Sequence, residues 1–382
     1  MNRLIAASTT PGYPTLVRGE DVPDCGPMET MNELSLRQHG EYAPEIVDGI
    51  AFCTPADQGK GPMVAAVELA SGTVKWETAV DEWVWRAPAS VGETVVVGTD
   101  NGSVYCLNQR DGHVLWSCKS LGRKPWPSAV WSLRIRRSIG FFGLDDGDTF
   151  SLDVTTGEQR WMRMCSDKYG SIWSNPVVWG DSVLFCIGDD LYCLDVDTGM
   201  ERWHLTYGVG PGNNHQHPLL VGDLLFIPTL IGRIYAIDLS TQTLSWRIES
   251  TSIGSTWTPV ALGDMLYYRH EDKGIIYGTL LRPFNKLFPG PVLALQTDCD
   301  EPRELSIHNG CLYCPSGQWL YVVEPHPVEG IPAEFRVRKY RAPEPFATGL
   351  AHDGDLLCAG TTTGTLLIGR LPDSSPRGGI SL

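Results

Sequence analysis

Short runs of alternating apolar and polar residues, separated by glycine turns, recur along most of the chain. The segment from Leu152 to Trp161 contains an apolar residue and an aspartate, then a Thr-Gly turn, and a tryptophan four residues after the glycine. The segment from Leu194 to Trp203 repeats this arrangement. Alternation with a period of two residues predicts half-buried β-strands, and the glycine turns predict sharp reversals between them. The pattern therefore predicts a chain of short antiparallel strands.

The tryptophan of this motif returns at a nearly constant interval. It occurs at Trp76, Trp116, Trp161, Trp203 and Trp246, with intervals of 40, 45, 42 and 43 residues. The first four follow a turn glycine by four positions, and Gln242 takes the place of the glycine in the fifth. A period of this length predicts a repeat architecture in which each repeat packs on its neighbours.

A second landmark, an apolar pair followed by a Gly-Asp-like turn, has the same period. Its turn glycines are Gly49, Gly92, Gly180, Gly222, Gly263, Gly310 and Gly354. The interval from Gly92 to Gly180 is about twice the others, which predicts one more unit with a degenerate turn near Arg136. The sequence then contains eight units with a mean length of about 44 residues.

Each unit is predicted to form four short strands. A four-stranded antiparallel sheet that repeats every 40 to 45 residues is typical of a β-propeller blade. We therefore predict an all-β, eight-bladed β-propeller of four-stranded antiparallel blades, with seven blades as the alternative. The recurring tryptophan is predicted to pack between neighbouring blades, where its large ring and single N–H donor fit best.

The propeller is predicted to occupy residues 44–370 as a single domain. Residues 1–43 are predicted to be an irregular N-terminal segment because proline and glycine interrupt it, and residues 371–382 a flexible C-terminal tail. The eighth unit has no fourth strand of its own. Because an open ring would leave unpaired strand edges, we expect a strand from residues 2–7 or 34–38 to close it.

Composition narrows the classes of function and location. The formal net charge is −15 at pH 7 and the densest basic run, from Arg134 to Arg137, is short, so no nucleic-acid partner is expected. The eleven cysteines lie mostly in predicted strands, where they act as small apolar side chains and favour a reducing compartment. The apolar run from Leu4 to Ala7 is too short for a secretory signal, and no segment reaches the length of a membrane span. The expected location is the cytoplasm.

The repeat, apolar-Asp-x-x-Thr-Gly-x-x-x-Trp after a Val-x-Gly-Asp turn, resembles the pyrroloquinoline-quinone-like repeat over roughly residues 44–370. Quinoprotein dehydrogenases and the bacterial outer-membrane assembly lipoprotein use this repeat, so the resemblance implies the propeller fold. It implies no single function, because the family contains cofactor enzymes and scaffolds. Many quinone-binding members carry a Cys-Cys pair and an export signal, and this sequence shows neither. The lipoprotein carries a lipidated N-terminal cysteine, whereas the first cysteine here is Cys25.

Propeller topology brings two sets of loops to one end of the central channel, where propellers usually bind ligands. These are the segments leading into each innermost strand and the turns between second and third strands. The candidate ligand-binding residues on them are Trp85, Arg86, Trp126, Trp173, Asn214, Trp257, His270 and Asp272. The four tryptophans are predicted either to line a funnel for a planar or apolar ligand, or to cap the inner strands as packing.

The fifth lead-in segment differs from its neighbours because it contains two histidines where they place tryptophan. His215 and His217 are two positions apart in an extended segment and would face the same side. They are candidate catalytic residues as general bases, or candidate metal ligands with a further ligand from residues 270–272. The alternative is a polar rim loop whose imidazoles hydrogen-bond to neighbouring blades. The sequence contains no nucleophile, zinc-protease or phosphate-loop motif.

The favoured function is a binding platform for a protein or peptide across the funnel face. The alternative is an enzyme with a small-molecule or peptide substrate in the funnel and His215 or His217 as its base or metal ligand. A quinone-dependent oxidoreductase is the weaker alternative. No cofactor is favoured, and pyrroloquinoline quinone is disfavoured by the missing cysteine pair and signal.

Overall fold

The structure is a computed structural model. It describes residues 4–6, 15–34, 42–55, 61–119, 128–165, 172, 174–207, 216–248, 257–269, 274–283, 291, 293–299, 303–326 and 334–371. Within these residues the fold is all-β apart from one 3-10 turn at Gly19–Asp21. No helix of the described residues is long and apolar enough to cross a membrane. Four strands precede the repeats: β1 (Leu4–Ala6), β2 (Thr15–Arg18), β3 (Asp24–Pro27) and β4 (Glu29–Leu34).

The remaining strands form one antiparallel blade after another in chain order. Blades one to four contain β5 (Glu45–Val47), β6 (Ile50–Cys53), β7 (Met63–Glu68) and β8 (Thr73–Ala79); β9 (Ala89–Val91), β10 (Thr94–Gly98), β11 (Ser103–Asn108) and β12 (Val114–Lys119); β13 (Val130–Arg136), β14 (Ile139–Leu144), β15 (Asp148–Asp153) and β16 (Gln159–Met164); and β17 (Val177–Trp179), β18 (Ser182–Ile187), β19 (Asp190–Asp195) and β20 (Glu201–Thr206).

Blades five to eight follow the same plan. They contain β21 (Leu219–Val221), β22 (Leu224–Pro228), β23 (Ile234–Asp238) and β24 (Thr243–Ile248); β25 (Val260–Leu262), β26 (Met265–Arg269), β27 (Ile275–Leu280) and β28 (Leu293–Gln296); β29 (Ser306–His308), β30 (Cys311–Ser316), β31 (Trp319–His326) and β32 (Glu334–Arg341); and β33 (Ala351–Asp353), β34 (Leu356–Gly360) and β35 (Leu366–Arg370). The predicted eight-bladed propeller is confirmed within the described residues, rather than the seven-bladed alternative.

Every seam between neighbouring blades holds a buried apolar cluster in the described part of the chain. The seam between the eighth and first blades packs Cys358 and Leu366 against Cys53 and Val67, all fully buried. The innermost strands also contact one another where β33 meets β5 and β5 meets β9. The last seam is filled like the others, so the blades form a closed ring around a central axis.

The ring is closed by β4, which supplies the fourth strand of the eighth blade. It pairs antiparallel with β35, with Leu34 opposite Leu366. Of the two closing segments expected from the sequence, residues 35–38 lie outside the described residues, and Leu4–Ala6 pairs with β32 of the seventh blade instead. Strands β2 and β3 add in parallel to β28 and β32. The segment before the first blade therefore runs along blades six, seven and eight.

The repeat tryptophan lies on the fourth strand of its blade and reaches the next blade. Its indole N–H donates across the seam to a backbone carbonyl at four seams. The pairs are Trp76 with Gln109 (3.0 Å), Trp116 with Val154 (2.8 Å), Trp161 with Val196 (3.0 Å) and Trp246 with Leu281 (3.2 Å). These bonds satisfy the one polar group of a ring that is otherwise packed among apolar side chains. The predicted packing between blades is confirmed at these seams.

The motif glycine packs against the tryptophan of the preceding blade. Gly157 has φ +75°, and a Cβ added there would lie 2.7 Å from Cδ2 of the Trp116 ring. The same relation holds for Gly112 with Trp76 at 2.5 Å and for Gly199 with Trp161 at 2.6 Å. The glycine and the tryptophan of the motif share one period because, at these three seams, the glycine of one blade contacts the tryptophan of the blade before it.

Replacing Gly157 by alanine is expected to lower the free energy of unfolding by about 2 to 5 kcal/mol. The left-handed backbone costs an alanine about 1 to 2 kcal/mol, and crowding against Trp116 adds about 1 to 3 kcal/mol. Gly180→Ala is the matched control, because Gly180 has φ +55° and nothing within 4 Å of an added Cβ. Denaturant titration of both variants measures the difference, and equal losses would contradict the glycine–tryptophan contact.

Candidate functional site

The antiparallel strand order brings the lead-in segments and the turns between second and third strands to one end of the ring, here called the mouth. In the second blade the N–H of Asp100 donates to the carbonyl of Trp83 at 2.9 Å. The N–H of Val130 in the third blade donates to the carbonyl of Thr99 at 3.1 Å. Hydrogen bonds thus join the two kinds of loop, and their expected proximity is confirmed for these blades.

Further hydrogen bonds link the lead-in segments and innermost strands of successive blades around the mouth. The bonds run from Arg86 Nε to Trp131 O (2.9 Å), Leu133 N to Asn175 Oδ1 (3.2 Å), Asn175 N to His217 Nδ1 (3.0 Å), His217 N to Thr258 Oγ1 (3.2 Å) and Arg303 Nε to Phe346 O (3.1 Å). Asn175 and Thr258 are not among the site residues predicted from the sequence. Their signal is a polar residue directly before a proline, a position that His217 also occupies.

His217 belongs to this ladder as a neutral side chain. Burial lowers the pKa of His217 well below its usual value, and the positive charges of Arg86 and Arg134 lower it further. Because Nδ1 accepts the N–H of Asn175, the proton of the neutral ring lies on Nε2. This is the geometry of an imidazole that joins neighbouring blades. The catalytic and metal roles remain predictions, because the partner histidine, His215, lies outside the described residues.

Side chains from four blades form a stack of rings and one cation across the mouth, here called the mouth stack. Tyr42 of the first blade stacks on His217 of the fifth, with ring centroids 5.2 Å apart. The guanidinium carbon of Arg86 lies 4.5 Å from the centroid of Tyr42 and 5.9 Å from that of Trp131. Trp85 then stacks on Trp131 at 5.9 Å. The first and fifth blades are opposite in a ring of eight, so the mouth stack crosses the axis.

Trp85 and Trp257 have different environments. Trp257 is 7% exposed, and its ring lies 4.1 Å from the guanidinium carbon of Arg269, which is 1% exposed. The backbone N–H of Trp257 donates to the carbonyl of Arg269 at 3.3 Å. Trp85, in contrast, is 38% exposed. Trp257 therefore caps its inner strand as packing, whereas Trp85 presents apolar area at the surface of the mouth.

The other predicted site residues lie outside the described residues. They are Trp126, Trp173, Asn214, His215, His270 and Asp272. Of the predicted set, the structure brings Trp85, Arg86 and His217 together in the mouth stack. Among the described residues no group of three or more histidine, cysteine, aspartate or glutamate side chains could hold a metal ion.

Asp81 provides a fixed negative charge at the mouth of the second blade. It accepts hydrogen bonds from Thr99 Oγ1 at 3.2 Å, Asn101 Nδ2 at 3.0 Å and Ser103 Oγ at 2.6 Å. Burial acts to raise the pKa of Asp81, but these hydrogen bonds and the charge of Lys119 outweigh it, and the pKa is lowered. The carboxylate therefore stays ionised at neutral pH.

Comparison with known proteins identifies relatives of this architecture. A family model described as "Outer membrane protein assembly factor BamB", of the PQQ-like type, matches residues 39–248 and 188–278. The chain is 32% identical over 100 residues to the beta-alanine-activating enzyme of Danio rerio, covering 25% of this chain and 8% of that protein. It is 29% identical over 111 residues to BamB of Nitrosomonas eutropha, covering 29% of this chain and 27% of that protein. The chain therefore spans much less than two thirds of either relative.

Solved structures show the same fold. BamB from Moraxella catarrhalis matches with a TM-score of 0.67 at 15% identity, covering 92% of this chain and 99% of that chain. The designed Ika8 protein matches with a TM-score of 0.71 at 15% identity, covering 90% and 100%. Quinohemoprotein alcohol dehydrogenase from Comamonas testosteroni matches with a TM-score of 0.67 at 11% identity, covering 93% and 79%. At these identities the likeness concerns the fold alone.

A planar quinone cofactor at the mouth would need an open slot between rings. Between Tyr42 and Trp131 that slot holds the guanidinium group of Arg86, which is 9% exposed. The aromatic face of Trp257 is likewise covered by the buried Arg269. The described mouth residues therefore do not fit such a cofactor.

Acidification from about pH 7 to about pH 5 is expected to lower the free energy of unfolding. The pKa of His217 is lowered in the folded state, and burial together with the charge of His308 lowers the pKa of His352 to about 4. Below the ordinary histidine pKa the unfolded chain binds more protons than the folded chain, so stability falls by up to about 1.4 kcal/mol per pH unit for each histidine. His217→Asn should flatten this slope, since asparagine keeps an acceptor for Asn175 but does not titrate. A variant with the wild-type slope in urea titrations would contradict a neutral His217.

Proposed function

The chain belongs to the BamB/PQQ-like family of β-propellers, and we propose that it acts as a platform that binds another protein across the mouth of the ring. The family model covers residues 39–278, more than half of the 382-residue chain. A relative from Nitrosomonas eutropha is named as an outer membrane protein assembly factor, a role exercised on other proteins. Membership of this family supports binding of a protein partner.

The observation that carries the proposal is an exposed tryptophan beside the rings that cross the axis. The mouth stack joins Tyr42 of the first blade to His217 of the fifth and ends at Trp85 on the rim. Small-molecule sites are usually concave, whereas tryptophan is enriched among the residues that dominate protein interfaces. Trp85 is 38% exposed and rests on Trp131, and Ile231 exposes 36% of its area on a mouth turn of the fifth blade.

Trp85 is also held in one orientation before any partner binds. Its neighbour Arg86 donates from Nε to the carbonyl of Trp131, and the ring of Trp85 stacks on the ring of Trp131. The loop is fixed on its other side by the hydrogen bond between Asp100 and Trp83. A side chain fixed in this way loses little conformational entropy when it docks, which favours tight binding.

We also propose that the protein works in a reducing compartment, the cytoplasm. All eleven cysteines are free thiols, and several of them are fully buried in the seams. Burial raises the pKa of Cys106 to about 11 and that of Cys186 to about 12, which keeps both protonated and unreactive. A core that uses cysteine as a small apolar residue suits a compartment without strong oxidants.

Alkylation of the denatured protein, extracted from its own cells under conditions that block thiol exchange, is expected to modify all eleven cysteines without prior reduction. The native protein should leave the fully buried thiols, such as Cys314 and Cys358, unmodified. Mass spectrometry counts the modified thiols in both states. Cysteines that react in the denatured protein only after reduction would contradict the proposed compartment.

Trp85→Ala is expected to weaken binding of the protein partner by about tenfold or more, since hot-spot residues contribute about 2 kcal/mol or more. Affinity capture from the native lysate with wild-type protein identifies the partner, and the binding constant of the variant is then measured. Trp179→Ala is the matched control, because Trp179 ends an innermost strand at the opposite end of the ring. Unchanged binding by Trp85→Ala, with the fold intact by circular dichroism, would move the interface away from this face.

A further inference from the structure

The surface around Trp85 combines an aromatic face with several carboxylates. We propose that this surface, formed by Asp81, Glu82, Trp85, Asp100 and Trp131 and here called the Trp85 surface, receives an arginine side chain of the docking protein. The inference rests on the proposed function and specifies the chemistry of the partner. Lysine is a weaker substitute, because its compact ammonium group cannot stack flat on an indole ring.

The mouth stack already holds a cation between aromatic rings. The guanidinium of Arg86 lies between Tyr42 and Trp131, and Arg86 is only 9% exposed. Rings attract cations through the negative charge of their faces, most strongly when water is excluded. Trp85 stacks on Trp131 in this stack and is 38% exposed. A second guanidinium would pack on the exposed part of the Trp85 ring, as Arg86 packs on Tyr42 and Trp131.

Acidic residues lie on the lead-in segment that carries Trp85 and on the turn that is hydrogen-bonded to this segment. Glu82 lies three residues before it, and its Oε1 accepts the N–H of Trp83 at 3.1 Å, which holds the side chain in the loop. Asp100 belongs to the neighbouring turn, and its own N–H donates to the carbonyl of Trp83 at 2.9 Å. Asp81 adds a third negative charge, with Lys119 as the cation that faces it. A guanidinium on Trp85 would meet these carboxylates at its edge.

The charge of the Trp85 surface also decides against other partner chemistries. An acidic or phosphorylated segment would be repelled by the carboxylates and by a chain with a net charge of −15. A purely apolar segment would bury Glu82 and Asp100 without a counter-charge, which is unfavourable. Arginine fits both the aromatic ring and the carboxylates of this surface, because its planar group stacks on the ring and donates several hydrogen bonds to carboxylates.

A flexible Gly-Ser peptide that carries arginines, and the same peptide with citrulline in their place, test this inference. Citrulline keeps the shape of arginine but has no charge. The indole N–H signals of the full-length protein are followed by NMR during titration, and Trp85 is assigned by the signal lost in Trp85→Phe. The Trp85 signal is expected to shift saturably with the arginine peptide, at an affinity about tenfold above that of the citrulline peptide. Trp85→Ala should weaken the arginine peptide by about tenfold.

A matched pair of charge variants separates a local site from general attraction to an acidic protein. Asp100→Asn removes a carboxylate beside Trp85, whereas Asp264→Asn removes an exposed one from a turn at the opposite end of the ring. Asp100→Asn is expected to weaken the arginine peptide several-fold and Asp264→Asn to leave it unchanged. Equal effects of the two variants, or equal binding of the two peptides, would overturn the inference.

The outcomes also separate this inference from the proposed function. If capture of the protein partner depends on Trp85 while the arginine and citrulline peptides bind alike, the platform stands and the arginine site is overturned. If the arginine peptide requires Trp85 while partner capture does not, the arginine site stands and the proposed interface is wrong.

Discussion

Apolar packing between neighbouring blades holds this ring together, and at three seams it places a tryptophan of one blade against a glycine of the next. Each sheet is a single layer whose two faces are apolar, so it is stable only when neighbouring blades cover both faces. The glycine at 157 provides the close approach that the ring of Trp116 needs, and the indole N–H finds the carbonyl of Val154. The seam that joins the last blade to the first is filled by the same kind of apolar burial.

The packing at these seams also fixes the positions of the residues at the mouth. Because each blade packs on the next at a fixed position, the polar residues before the inner strands of blades four, five and six come within hydrogen-bonding distance of one another. Asn175, His217 and Thr258 form such a series. Burial and the positive charges of Arg86 and Arg134 lower the pKa of His217 and keep this side chain neutral, while its Nδ1 accepts the N–H of Asn175. His217 thus joins neighbouring blades, and its catalytic and metal-binding roles stay predictions.

The mouth stack is the feature of this architecture on which the proposed binding function depends. It places Tyr42 against His217 across the axis and holds the charge of Arg86 between rings. In the proposed function a partner docks on the rim, where Trp85 stacks on Trp131. An oriented aromatic side chain of this kind is typical of the residues that dominate protein interfaces, which supports that proposal.

The sequence by itself determined the number of blades, the strands within them and the role of the repeat tryptophans, because these depend on local alternation and on a contact repeated at several seams. It also indicated that Trp85, Arg86 and His217 lie at one end of the ring, since strand direction follows from antiparallel order. Only the tertiary structure decided that Tyr42 meets His217 and that β4 completes the eighth blade. These contacts join opposite blades or the two ends of the chain, and they form only when the ring closes. A periodic sequence pattern specifies the residues with which each blade packs on its immediate neighbours. Contacts across the axis depend on the curvature that all the seams produce together.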